Sequence, residues 1–486
     1  MQTVSCPSCG APVEFKSHTS VMAVCDFCRA VVVKDGDAVK DFGKLSQVLE
    51  DYSRIQIGTA GVFAARHFTV VGRIQLRYSA GMWNEWYLLF DDGGTGWLGD
   101  SSGLYVVTTE RPLGAAWPPF EQIEPGRDYE FGLGRFTAAE KRIAECIGGQ
   151  GELPFRVGQG WQARVADLRS GAGFATLDYS DGDKPVLYAG SAVTLEQMQC
   201  QLLREDDQIR ESSGKYRGKV QSLECPACGT AISYLPGLTS NIVCQSCHTQ
   251  LDAASPKVQV LAKGAQMERV SFTLPVGAKG SINGAAWQVL GAMRRSDDEG
   301  TGWTEYLLYS TSESFFWLVE TDEGWSRAKV MDNWPEAGHF DDQSVVVDKV
   351  PFKKLYSYTA RVDYVAGAFN WRVAVGDTVR VAEYERAPSR LAGERTAEEL
   401  TWSRSTPVAF DQVCAWFQAD VPSLRRVAAA PRPAASARTQ AQTFMWWMLG
   451  LNAIPLLLNF SGTIMWMILG LIALFVPPGF VKGDDS

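Results

Sequence analysis

The chain has 486 residues, 46% hydrophobic and 21% charged, which is long enough for several globular domains and too apolar to be disordered. A formal net charge of −9 disfavours non-specific nucleic-acid binding by the whole chain, because such binding rests on Lys and Arg neutralising phosphates. Together, 46 glycines and an aromatic share of 11% point to turn-rich β-structure.

Residues 1–34 open with Cys6-Pro7-Ser8-Cys9-Gly10 and Cys25-Asp26-Phe27-Cys28, and 213–255 repeat the device as Cys225-Pro226-Ala227-Cys228-Gly229 and Cys244-Gln245-Ser246-Cys247. Fifteen residues separate the two pairs in each array, and the arrays are 219 positions apart. In a CPxCG turn, Pro fixes the backbone and Gly lets it close, so amide N–H groups can face the thiolates. Four cysteines make the closed tetrahedral set of structural Zn²⁺, with no position left for a catalytic water. Two zinc ions are therefore expected, ahead of iron in a rubredoxin-like site. His18 and His248 have no match in the other copy, which disfavours them as ligands. Residues 1–30 have no charged stretch followed by an apolar one, so no secretory signal is expected, and paired CxxC then reads as metal in a reducing compartment. Cys146, Cys200 and Cys414 stand alone and read as inert thiols.

Residues 35–54 read as a polar connector with a short helix around Leu45–Leu49. A β-rich domain is expected over 55–212. Its predicted strands are Phe68–Ile74, Trp86–Phe90, Trp97-Leu98, Tyr105–Thr108, Trp161–Leu168, Phe174–Tyr179 and Val186–Tyr188, with Asp91–Gly94 as a turn. Glu152–Phe155 reads as a strand entry, and Gly148-Gly149-Gln150-Gly151 lacks the Lys-Ser/Thr of a phosphate loop. The apolar spacing of Thr194–Arg210 predicts an amphipathic helix closing the domain.

A second β-rich domain, 256–420, repeats this order. Gly58, Gly61, Phe68, Val70 and Gly72 match Gly277, Gly280, Trp287, Val289 and Gly291 at a shift of 219. Glu85, Leu88, Trp97 and Leu98 match Glu305, Leu308, Trp317 and Leu318 at a shift of 220. Phe155-Arg156-Val157 and Gly160 match Trp371-Arg372-Val373 and Gly376 at a shift of 216. Three ordered blocks mean that ribbon and β-domain were duplicated together. The similar Asp91–Trp97 and Asp297–Trp303 stand 206 apart and read as like turns on different loops.

The overall expectation is thus a mainly β chain of two zinc ribbons, each followed by a barrel- or sandwich-like domain, with a C-terminal α-helical membrane segment. An Arg/Ala/Pro linker, 421–440, carries Arg425, Arg426, Arg432 and Arg438, and an uncharged apolar tract fills 441–480 before a tail, 481–486. The tract has about twice the length of one span and Asn459, Ser461 and Gly462 near its middle, favouring a hairpin over one span kinked at Pro455. The four arginines put the soluble domains on the cytoplasmic side of the inner membrane and offer contacts to anionic lipid.

Catalytic constellations are scarce. The four histidines cannot supply an acid–base centre common to both copies, since His67 and His339 have no counterparts. Glu85 and Glu305, with Trp97 and Trp317, are the candidate ligand-binding residues: each acid lies in an aromatic strand of its own copy and is positioned to accept a hydrogen bond near that tryptophan.

Phe68–Ile74, Trp83–Gly93 and Gly96-Trp97-Leu98, with Trp303–Tyr309 and Trp317–Glu320 as a looser second copy, resemble the bacterial domain of unknown function 4178. That resemblance implies no known activity and no catalytic residues. It implies a genomic context of polyamine-synthesis genes and small envelope-stress membrane proteins, an association and not a mechanism. The expected function is a non-enzymatic, membrane-tethered cytoplasmic adaptor whose partners are the bilayer and membrane or polyamine-pathway proteins. The alternative is a polyamine or small-ligand sensor or enzyme using Glu85 and Glu305 with tryptophan cation–π walls.

Overall fold

The computed structural model describes residues 2–205 and 221–424, apart from 18, 29, 36–37, 45–52, 79–80, 102–103, 115–116, 131, 133, 158–160, 235–238, 240, 254–258, 263–269, 311–312, 337, 419 and 422–423. In the first half, the ribbon contributes β1 (Gln2–Ser5), β2 (Pro12–Phe15), β3 (Met22–Val24), β4 (Ala30–Asp35) and β5 (Ala38–Lys44). The domain behind it runs through β6 (Ala60–Phe63), β7 (Arg66–Tyr78), β8 (Gly81–Phe90), β9 (Thr95–Ser101), β10 (Leu104–Arg111), β11 (Asp128–Glu130), β12 (Arg135–Leu153), β13 (Gln162–Ser170), β14 (Gly173–Asp178) and β15 (Val186–Val193). The second ribbon comprises β16 (Gln221–Glu224), β17 (Ala231–Tyr234), β18 (Asn241–Val243), β19 (Gln250–Asp252) and β20 (Gln259–Ala262). Its domain follows as β21 (Lys279–Ile282), β22 (Ala285–Ser296), β23 (Gly302–Ser310), β24 (Ser314–Thr321), β25 (Gly324–Val330), β26 (Ser344–Val347), β27 (Val350–Phe369), β28 (Thr378–Arg386), β29 (Ser389–Arg395) and β30 (Leu400–Val408). Among the described residues the one α-helix is α1 (Phe410–Phe417).

Each domain is an eight-stranded antiparallel barrel. The first ring runs β7-β8-β9-β10-β15-β14-β13-β12 and closes where β12 pairs with β7; the second is its counterpart, β22-β23-β24-β25-β30-β29-β28-β27. Strand alternation sorts the side chains. On β8, Trp86, Leu88 and Phe90 face outwards and are buried with Leu98 under Ile55, Leu195 and Met198. On the far side of the ring, Ala166, Leu168, Leu177 and Leu187 lie under Phe120 and Ile123. The other face of every strand, carrying Trp83, Glu85 and Tyr87 on β8, lines the lumen.

The longest strand of the first half, β12, changes partner along its length. It pairs with β13 over Thr137–Glu145, with β7 over Cys146–Gly151, and with the ribbon strand β3 over Gly151–Leu153. The change occurs at a glycine crossing. Gly151 pairs with Gly72, at φ 65° and with its Cα side turned into the Val71 carbonyl, so a Cβ there would stand 2.2 Å from Val71 O. Gly367 opposite Gly291 repeats the device in the second barrel at φ 101°. Backbone this close tolerates no side chain.

Three sequence expectations are corrected. Glu152 and Leu153 end a 19-residue strand where an entry was expected, and Gly148–Gly151 lies inside that strand. Residues 38–44 form β5 on the edge of the ribbon sheet and are not a connector; the helix expected at Leu45–Leu49 falls outside the described residues. Residues 195–199 form turns and no α-helix: Gln199 and Leu202 take φ of 49° and 56°, which no right-handed helix accommodates, and Gln201 pairs with Ala60 at the edge of β6. The apolar spacing there serves to cover the barrel wall, and among the described residues only the second copy closes with a helix, α1. The two similar Asp-rich turns do lie on different loops, Asp91–Gly94 between β8 and β9 and Asp297–Thr301 between β22 and β23.

Residues Met1–Pro422 cluster as one unit, and the two barrels touch within it. Ala139, the bulged residue of β12, is buried in the cluster of Met331, Trp334 and Trp402. Trp334 N–H donates to Gly171 O at 2.9 Å, and Lys141 N–H to Glu398 O at 3.1 Å. Among the described residues no helix is long and apolar enough to cross a membrane; the linker beyond 424 and the tract 441–480 lie outside them.

Candidate functional site: two four-cysteine clusters and the barrel lumens

Each ribbon gathers four thiols within 4.8 Å of one another: Cys6, Cys9, Cys25 and Cys28 in the first, Cys225, Cys228, Cys244 and Cys247 in the second. Cross-pair sulfurs stand 3.6 Å (Cys6–Cys28) and 3.7 Å (Cys9–Cys25) apart in the first, and 3.7 Å for both Cys225–Cys247 and Cys228–Cys244 in the second. That is far beyond a disulfide and close to the edge of about 3.8 Å that a tetrahedron of sulfurs 2.3 Å from one ion requires. The knuckles are held by local bonds: Gly10 N–H to Cys6 O, Gly229 N–H to Cys225 O and His248 N–H to Cys244 O, each 2.8 Å. Both clusters can hold a metal ion through four sulfurs. His248 serves the knuckle through its backbone, at φ 55°, while its ring stacks edge-on to Tyr364 at 5.1 Å. Of the remaining cysteines, burial pushes the Cys146 and Cys200 thiols up to about 11, so they stay protonated and unreactive.

The clusters are fastened to the barrels. Beyond the β3–β12 pairing, Glu152 accepts from Lys16 N–H at 2.6 Å and Ser17 N–H at 2.9 Å, and Thr19 Oγ1 bonds Tyr87 Oη at 2.9 Å. Met22, Val24, Val31 and Val33 share one buried cluster with Tyr87 and Trp97, so the ribbon caps one end of the lumen.

Trp97 and Trp317, expected near the acids, belong to this capped end. Trp97 packs between Tyr87 (5.0 Å) and Phe155 (5.7 Å), and Trp317 against Trp371 (5.2 Å). The indole that serves the acid is two residues before it on the same strand face. Trp83 Nε1 donates to Glu85 Oε1 at 2.8 Å, and Trp303 Nε1 to Glu305 Oε1 at 2.7 Å. Both pairs were visible as Trp-x-Glu at the shift of 220; the alternation of a strand is the signal that puts them on one face.

Two further acids in each barrel escaped the sequence reading. The registers make Asp167 equivalent to Glu383, since each lies two residues past matching valines, Val165 and Val381. Asp178, opposite Val165, is equivalent to Glu394, opposite Val381. The shift is again 216, the shift of the Phe155/Trp371 block. β8 and β14 are opposite each other in the ring, so Glu85 and Asp178 face one another across the lumen, as Glu305 and Glu394 do in the second barrel.

Their charges are handled differently. In the second barrel Arg295, 5% exposed, reaches Glu305 Oε1 and Glu394 Oε1 at 3.0 Å each and lies over the Trp303 ring at 5.7 Å. Tyr358 Oη donates to Glu383 Oε1 at 2.8 Å. In the first barrel the residue opposite Trp83, where Arg295 stands opposite Trp303, is Leu76. Arg142 pairs with Glu140 and with Glu399 (3.4 Å), and Asp167 accepts from Thr176 Oγ1 at 2.6 Å. Among the described residues no cation pairs with Glu85 or Asp178. Asp178 accepts from Ser180 N–H at 2.8 Å, and burial raises its carboxyl. Burial also pushes Glu85 up to about 7 from an ordinary 4.5, with the Trp83 bond opposing and Asp178 and Asp100 adding to the rise.

The sign of that shift fixes a pH dependence. Between about 4.5 and 7 the folded chain keeps a proton on Glu85 that the unfolded chain has lost, so stability falls as pH rises through this window and levels off above it. Glu85→Gln should remove that slope and raise stability at pH 8 by about 1–3 kcal/mol, the upper end discounted because the lumen still admits some solvent. Chemical unfolding followed by tryptophan fluorescence at pH 5, 6, 7 and 8 measures it; equal slopes for both proteins would refute the assignment.

Fold and clusters together define a tandem ribbon-and-barrel protein with two four-cysteine centres. The chain belongs to the family described as domain of unknown function (DUF4178), whose model matches residues 56–195 and 275–410, one copy on each barrel. Comparison with curated proteins and with solved structures found no match.

Proposed function

We propose that the protein is a non-enzymatic adaptor with two structural zinc ions, held by the tract 441–480 at the cytoplasmic face of the inner membrane. The observation that carries this reading is the way each four-cysteine cluster is built: the four sulfurs lie within 4.8 Å of one another, where a single ion could meet all of them, and the ribbon strands pair directly with the barrel sheet. Such a centre fastens and does not react. The tether concentrates the two barrels near membrane partners, and the arginines at 425–438 favour anionic lipid. Proteins of the membrane or of polyamine synthesis remain the partner classes in view. The full chain should sediment with inner membranes and resist release by high salt, while a chain ending at 422 should not sediment. Recovery of the full chain in the soluble fraction would overturn the tethered adaptor.

The lumen acids favour a second reading, a sensor of, or enzyme acting on, a small cationic ligand.

A further inference from the structure

We infer that the first barrel binds an external guanidinium compound between Glu85 and Asp178, in the place that the second barrel fills with its own Arg295.

The two lumens place their arginine differently: Arg295 on β22 in the second, and Arg142 on β12, at the register of Tyr358, in the first. In the second barrel, carboxylates from opposite strands, Glu305 on β23 and Glu394 on β29, converge on one guanidinium at 3.0 Å each. The guanidinium lies beside the Trp303 indole, whose N–H is spent on Glu305. The first barrel keeps the matching carboxylates, Glu85 and Asp178, the matching indole, Trp83, and the same Trp-to-Glu hydrogen bond. It lacks the arginine: Leu76 occupies that register. Two inward-facing acids on opposite walls, with no cation on either, cost stability unless something neutralises them.

The surrounding charges do not fill the role. From β12, Arg142 lies over the Trp83 ring at 5.7 Å, as Arg295 lies over Trp303, but its ion pairs are with Glu140 and Glu399 and not with Glu85 or Asp178. From β13, Arg169 lies over the Phe174 ring at 4.6 Å and the Trp334 ring at 5.9 Å. From β15 and β8, Tyr188 and Tyr87 bring no positive charge. The second barrel therefore acts as an internal template for the occupant of the first. The ligand class is a guanidinium: in the template both carboxylates meet the one nitrogen Arg295 Nη1 while the planar group lies over the Trp303 ring, and a flat, weakly hydrated cation suits an indole wall better than a compact ammonium does. Asp178 is one methylene shorter than Glu394, so the first site is wider and suits a guanidinium bearing a substituent.

The inference is independent of the membrane tether: a chain that never sediments with membranes can still bind the cation. The test is calorimetric titration of the full chain at pH 8 with ethylguanidinium, and with propylammonium as comparison. We expect one saturable site per chain and weaker binding of propylammonium. Leu76→Arg copies the second barrel's own solution, so it should fold and abolish the site. Glu85→Gln should weaken binding by about tenfold or more. Arg295→Leu should open a second site, raising the stoichiometry to two, or, if it unfolds the second barrel, be rescued by ethylguanidinium. No saturable heat with the wild-type chain, unchanged binding in folded Leu76→Arg, or equal affinity for propylammonium would overturn the assignment.

Discussion

Cys25→Ser should lower the zinc content from two ions per chain to one, leaving the second cluster occupied. The four thiols of each ribbon lie within 4.8 Å, and three sulfurs cannot replace the closed set. Binding to such sites supplies on the order of 10–16 kcal/mol in model peptides, which exceeds what a ribbon this small can draw from its own core. The effect should spread into the first barrel, because Met22, Val24, Val31 and Val33 share a cluster with Tyr87 and Trp97. Loss of the cap exposes the stack Tyr87–Trp97–Phe155, so the near-ultraviolet circular dichroism should fall by roughly half if the aromatic clusters of the two barrels contribute alike. Metal analysis and circular dichroism check both parts. A chain that retained two zinc ions, or an unchanged aromatic signal, would contradict the cap.

Gly72→Ala should prevent the first barrel from closing. A Cβ at this position would stand 1.7 Å from the Glu152 carbonyl oxygen and 2.9 Å from its carbon. Both are backbone atoms of the strand that joins barrel to ribbon, so no rotamer change relieves the clash. The expected loss is more than about 4 kcal/mol, the range reserved for a broken core. Gly114→Ala, with nothing within 4 Å of the added atom, is the control and should stay within about 0.5 kcal/mol. Thermal unfolding of both variants decides the matter; equal midpoints would rule out the glycine crossing as a point of closure.

The duplication was legible in the sequence because the CPxCG turns and the Gly72/Gly291 and Phe155/Trp371 blocks keep order and spacing. Which four cysteines gather in each cluster followed from spacing alone. The lumen was harder. Asp167 and Asp178 are ordinary acids in short strands, and only the register shows that they share a face with Glu85. Their equivalence to Glu383 and Glu394 was within reach at the shift of 216. The contrast between Leu76 and Arg295 was not, because a leucine facing an aromatic strand reads as core. β12 was hidden by its glycines: Gly148, Gly149 and Gly151 interrupt the apolar pattern of a strand, whereas the crossing of three strands requires Gly151. The turns at 195–199 read as a helix because covering a barrel wall imposes the same apolar spacing as a helical face.

The partner sequence of β12 also bears on how the chain is made. Val24 of the first ribbon pairs with Gly151, and Met22 with Leu153. The emerging ribbon can therefore capture its ion early, but the sheet that docks it is completed only after most of the first barrel has left the ribosome. Closure over such a span is slow, and until then the edge formed by β3 is open to a competing strand. The second copy repeats the arrangement, with Asn241–Val243 waiting for Gly367–Phe369. Two waiting edges and two late strands at equivalent places in one polypeptide create a risk of cross-pairing. Metal loading before synthesis reaches the second half, when only one late strand exists, is the order of events that avoids it.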